Sequence, residues 1–252
     1  MSNGLFLKRI FSNKIYWLSV VAAIFLLLCS IVYTDPYSGA QYTFLSLFYE
    51  EVVQNALQSG LISVDAILLG YDSGYLWMFC PIIVGIPCVL IQKTERFVLF
   101  RTSKNQYLIS KYASNLLASG TILLVAYLVY MLLTMIVMQE NIWDMNLCKK
   151  LLSVFCWGVM CAIPSIILSE FVHNKYMILC IPFALNYFVS MFLGSVIPME
   201  IWQYLSPWTY QILFLYDEKT ILFCSINMIV FLLLCGLLKK LVMERRCDCG
   251  QQ

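Results

Sequence analysis

The sequence predicts an all-α, polytopic membrane protein: six membrane-spanning helices, an amphipathic amino-terminal helix, and a re-entrant outer hairpin before the last span. Three observations predict the spans, namely an excess of apolar residues, six separate apolar runs, and a one-sided distribution of cations. Of 252 residues, 62% are hydrophobic and 12% charged, against about 45–50% and about 25% in ordinary soluble domains. One water-soluble core could not hide that excess, so hydrocarbon is the expected solvent.

A helix needs about 20 apolar residues to cross roughly 30 Å of hydrocarbon. Runs 15–33, 75–91, 112–138, 151–169, 176–197 and 221–238 meet or approach that length. They make residues 1–252 a single six-span domain, of which 1–14 lies ahead of the first run. The first run opens with Ile15-Tyr16-Trp17 after Lys14, an aromatic anchor beside a cation, and no small-residue cleavage site follows before Asp35. It is therefore expected to be a retained span and not a signal peptide. Pro81, Pro87, Pro164, Pro182 and Pro198 lie in or beside the spans. Each removes a backbone donor, which suits either a hinge or a static kink.

Lys and Arg gather in alternate segments. Thirteen fall in the amino end, in 92–111, at Lys175 and in the tail 239–252, while Lys149, Lys150 and Lys219 fall in the other set. This imbalance predicts cytoplasmic termini and an even number of spans in a plasma membrane. Outer loop 34–74 carries Asp35, Glu50, Glu51, Asp65 and Asp72 and no cation. Within it, Tyr42 to Leu57 predicts a short amphipathic helix with Phe44, Leu47, Phe48, Val52 and Leu57 on one side, serving as a lid, a substrate-handling surface or a simple cap.

Inner loop 92–111 mixes five cations with Phe97, Val98, Leu99, Phe100, Tyr107 and Leu108. Lipid headgroups would account for the cations. The apolar cluster better suits a short helix docking into a groove on a cytoplasmic partner. Segment 198–220 is too polar and too broken by Pro207 to span, yet Trp202, Tyr204, Trp208 and Tyr210 suit a headgroup boundary. Two short helices dipping into the outer leaflet reconcile these facts.

Most of the eleven cysteines sit in apolar runs and read as small buried hydrophobes. Cys247 and Cys249 in the tail read as exposed thiols, with a soft-metal site as the lesser alternative, and His173 reads as a loop residue near Glu170 and Lys175. No phosphate-cradling Gly-x-x-x-x-Gly-Lys-[Ser/Thr], His-Glu-x-x-His or Gly-x-Ser-x-Gly pattern occurs. Catalytic, metal and cofactor residues are thus not expected in this chain, nor is a nucleic-acid partner.

The order of parts resembles the permease subunit of type-2 ATP-binding-cassette exporters over nearly the whole chain. The amino-terminal element would be Leu5 to Lys14, the coupling element Glu95 to Lys111, and the hairpin Pro198 to Tyr216. Thr94-Glu95-Arg96, then Arg101-Thr102-Ser103, then Lys111 is similar to that family's inner-loop pattern. The resemblance implies a separate ATPase subunit that binds ATP and Mg and docks on Glu95, Arg96, Phe97, Phe100, Arg101 and Lys104. It further implies a second permease copy or a paralogue. Asn186, Ser190, Trp202, Tyr204 and Trp208 are the candidate pathway for an amphipathic or hydrophobic substrate, such as a peptide antibiotic or a lipid-like molecule. A bacterial membrane is the expected setting. A non-transporting scaffold or sensor that binds a ligand through its outer loop is the competing expectation.

Overall fold

A computed structural model describes residues 3–62, 67, 76–92, 104–139, 145–172, 174–188, 196 and 233. These residues are mostly helical. In chain order they form α1 (Asn3–Phe11), α2 (Lys14–Leu28), β1 (Ile31–Thr34), β2 (Gln41–Thr43), a 3-10 turn (Phe44–Phe48), α3 (Glu51–Gln58), α4 (Leu76–Gln92), α5 (Lys104–Met138), α6 (Met145–Phe171) and α7 (Lys175–Phe188). Among the described residues, two helices are long and apolar enough to cross a membrane, through Ile109–Met138 of α5 and Lys150–Phe171 of α6. Helices α2, α4 and α7 are apolar but shorter.

Helix α1 is amphipathic, as its sequence requires. Phe6 and Ile10 are buried while Lys8 and Arg9 face out, and the helix packs on α5 and α4. Asn13 separates α1 from α2 because its side chain accepts from the Ile15 N–H at 2.9 Å, capping the second helix. Tyr16 is not the interfacial anchor that its position suggests. It is buried, and its hydroxyl meets Thr121 Oγ1 on α5 at 2.8 Å. Trp17 does face outward, with its indole N–H donating to the Phe11 carbonyl at 2.8 Å.

The first apolar run is helical only to Leu28, and its last residues enter a small sheet. Ser30 donates back to the Leu27 carbonyl, and the following Ile31-Val32-Tyr33-Thr34 combines β-branched and aromatic residues that favour an extended chain. β1 pairs antiparallel with β2, a departure from the all-helical expectation. The connecting turn is tied by the Asp35 carboxylate, which accepts from the Tyr37 N–H and the Ser38 hydroxyl, and Gly39 supplies the positive φ of 70°.

The expected single helix over Tyr42 to Leu57 is instead β2, a 3-10 turn and α3, separated at extended Glu50. Its apolar residues consequently divide. Phe44 and Leu47 are buried, Phe48 and Val52 are exposed, and α3 buries Val53 and Ala56. Gly60, at φ 73°, closes α3, with the Leu61 N–H returning to the Ala56 carbonyl at 2.9 Å. The outer element is fastened to the bundle through Tyr130 of α5, whose ring lies 4.9 Å from that of Phe44 and whose hydroxyl donates to the Ile67 carbonyl at 2.9 Å.

Cross-helix contacts fix the chain directions. Tyr16 meets Thr121 and Ser30 lies beside Tyr130, so α2 and α5 run the same way. Lys111 meets Glu170 while Ser119 lies against Gly158, so α6 runs opposite to α5; Gln92 meets Ser169 while Gly85 lies against Ser165, so α4 runs with α6 and also opposite to α5. The Phe79 and Phe183 rings stack at 5.6 Å, while Asn186 donates to the Trp77 carbonyl at 3.2 Å; α7 therefore opposes α4. The apolar helices α2, α4, α5, α6 and α7 thus alternate in direction. Among the described residues, one end of the bundle carries Lys8, Arg9, Lys14, Lys104 and Lys175 with the single acid Glu170, and the opposite end carries Asp35, Glu50 and Glu51 with Lys149 and Lys150 at the start of α6.

Close approach of α5 and α6 depends on glycine. A Cβ on Gly158 would stand 3.1 Å from the Ser119 carbonyl oxygen and 3.2 Å from the Gly120 Cα. Pro81, Pro87, Pro164 and Pro182 lie inside helices that continue through them.

Candidate functional site

The candidate site lies at the basic end, where α4 stops, α5 rises and α6 stops. Lys111 was expected to be a loop cation. It lies within α5, and its ammonium donates to Glu170 Oε1 of α6 at 2.6 Å, with the two side chains only 2% and 10% exposed. Desolvating both charges is costly, and a short contact between opposite charges offsets that cost only while both partners remain.

Gln92, the last residue of α4, completes the joint. Its amide nitrogen donates to the carbonyls of Ser169 at 2.9 Å and Val172 at 3.1 Å. Carbonyls in the last turn of a helix lack intrahelical partners, so Gln92 acts as a cap supplied by another helix. Gln92 and Lys111 are therefore both fastened to the same terminal turn of α6.

This joint was legible only in part. Glu170 stood out as an acidic residue ending an apolar run, but its partner lies 59 positions away, and Gln92 carried no signal beyond its place at a span end.

Other expected site residues are distributed as follows. Lys104 opens α5, so residues 104–111, expected to belong to a loop ahead of the span, are instead the first two turns of the long helix. Asn186 lies on α7 and ties it to α4 through the Trp77 carbonyl. Glu95, Arg96, Phe97, Phe100, Arg101, Ser190, Trp202, Tyr204 and Trp208 lie outside the described residues, as do His173 and the Cys247 and Cys249 tail. The described cysteines are free, and Cys80, Cys88 and Cys161 are buried. Among the described residues, no three His, Cys, Asp or Glu side chains gather as metal ligands would.

On the opposite end, Asp35 has its carboxyl held below the ordinary Asp value. The Ser38 hydroxyl is the largest cause and the Tyr37 N–H the next. Nearby, Tyr37, Phe48, Tyr49 and Val52 are exposed, giving this end an acidic and aromatic surface.

Comparison of the chain with family models, with curated proteins and with solved structures gives no match.

Proposed function

We propose that this chain is the membrane-spanning subunit of an ATP-driven exporter of the type-2 ATP-binding-cassette kind. The observation that carries the reading is the joint at the basic end, where Gln92 and Lys111 both grip the end of α6. In this reading, six spans cross a plasma membrane with both termini in the cytoplasm. The alternating helix directions and the cations collected at one end support that orientation.

A separate nucleotide-binding subunit docks under residues 92–111, through Glu95, Arg96, Phe97, Phe100, Arg101 and Lys104. Closure of that subunit around ATP and Mg pushes the segment. Because its two ends are fixed to one turn of α6, the push tilts three helices as a unit and opens a path against a second permease copy. The substrate is amphipathic or hydrophobic, either a peptide or a lipid-like molecule, and passes walls that include Asn186, Ser190, Trp202, Tyr204 and Trp208.

Reversing the charge of Arg96 and Arg101 and replacing Phe97 and Phe100 with polar residues tests the docking. The variant is expected to insert normally and to lose the ATPase on purification from native membranes. Normal recovery of the ATPase defeats the assignment. The outer element, with exposed Tyr37 and Tyr49 beside Glu50, favours one second reading, a ligand-sensing scaffold. That reading gains if no ATPase accompanies the native chain.

A further inference from the structure

Three residues of α5, Lys111, Asn115 and Ser119, recur every fourth position and are all buried, so they share one face of the helix. Lys111 is paired with Glu170, and Ser119 donates to the Val84 carbonyl at 2.7 Å. Asn115, lying between them and fully buried, has neither its amide nitrogen nor its oxygen bonded to any protein group. Ser165 of α6, also fully buried, has a hydroxyl in the same condition.

The helix register places these two side chains between the same pair of contacts. Lys111 sits opposite Glu170 and Ser119 lies against Gly158; Asn115 lies between those contacts on α5, and Ser165, two turns along α6 from Gly158 and so on the same face, lies between them on α6. Helix α4 supplies the third wall. Its Val84 carbonyl takes the Ser119 bond, and an added Cβ on neighbouring Gly85 would stand 2.8 Å from the Ser165 hydroxyl. The absence of a side chain at Gly85 therefore makes the room that Ser165 uses.

We propose that Asn115 and Ser165 hold bound water in a closed polar site between α4, α5 and α6, one helical turn inward of the Lys111–Glu170 pair. A buried amide presents two donors and an acceptor, and a buried hydroxyl presents one of each. Water both donates and accepts, and internal water molecules characteristically take two to four such partners. A cation would leave the amide donors unpaired and would lie one turn from the Lys111 ammonium; an anion would leave the Asn115 oxygen unpaired. The inference does not depend on the transport reading, since it rests on hydrogen-bond capacity alone. It makes the contact among these three helices partly exchangeable, because bonds to water re-form when neighbours shift.

Water-edited solid-state NMR on the native chain in phosphatidylcholine bilayers, with asparagine and alanine labelled, tests the site. Rapid magnetisation transfer from water to the Asn115 side-chain amide is expected, well above that reaching buried Ala118 or Ala126 on the same helix. Ser165→Ala is expected to reduce that transfer at least twofold, and Asn115→Leu to remove the signal and lower the unfolding midpoint. Transfer no greater than at the alanines, transfer unaltered in Ser165→Ala, or an unfolding midpoint unchanged or raised in Asn115→Leu overturns the proposal. The measurement on the native chain stands even if a variant fails to fold.

Discussion

At the scale of single residues, the Lys111–Glu170 contact has the largest predicted consequence. Glu170→Gln takes the carboxylate away from an ammonium that is almost wholly buried, and breaking a buried pair in this way costs about 3–5 kcal/mol. Chemical unfolding in detergent should show that loss in Glu170→Gln and in Lys111→Met. The double variant Lys111→Met with Glu170→Leu should recover most of it, because it removes both desolvation penalties at once. A double variant as unstable as either single one would mean that the pair is not energetically coupled. Asp35 yields a prediction about pH. Its folded-state pKa is lowered, chiefly by Ser38, so its contribution to the hairpin is present above the ordinary value of 3.8 and is lost as pH falls through the lower folded value. Hydrogen exchange at the Tyr37 amide should accelerate across that acidic interval, and Asp35→Ala should remove the dependence.

Among elements, α5 and α6 form the axis on which the others pack, and their separation is set by Gly158 and Gly120. Gly158→Ala places a methyl group 3.1 Å from a backbone oxygen, a position from which neither helix backbone can rotate away as a side chain would. Overpacking of this kind costs about 1–3 kcal/mol. The unfolding midpoint should fall accordingly, whereas alanine in place of exposed Leu132 on the outward face of α5 should change it little. The pairing of elements also explains why the amino-terminal part was only half legible. The family resemblance placed a helix at Leu5 to Lys14, where α1 lies, but nothing local distinguished Tyr16, which is buried against Thr121, from exposed Trp17. In the same way the composition of Ile31-Val32-Tyr33-Thr34 suits hydrocarbon or a strand equally, and pairing with Gln41–Thr43 decided between them.

For the whole molecule, the proposed orientation makes opposite ends of the bundle answer differently to an impermeant thiol reagent. Tyr37→Cys, at the fully exposed tip of the hairpin, should gain label over the native chain in intact cells. Lys8→Cys should gain it only after permeabilisation. Labelling of Lys8→Cys from outside would invert the topology and remove the docking segment from the side where ATP is found. The sequence by itself determined that this chain is built of apolar helices, where α4, α6, the start of α7 and all but the first two turns of α5 lie, and on which segments the charges collect, because length, hydropathy and charge sign are properties of consecutive residues. Only the tertiary structure decided that Lys111 and Glu170 are partners, that Gln92 caps a helix other than its own, and that Asn115 and Ser165 lie between the same two helix contacts. Those facts depend on the register between helices that are distant in the chain, and register is set by how close two backbones can come at residues such as Gly158, which no local pattern records.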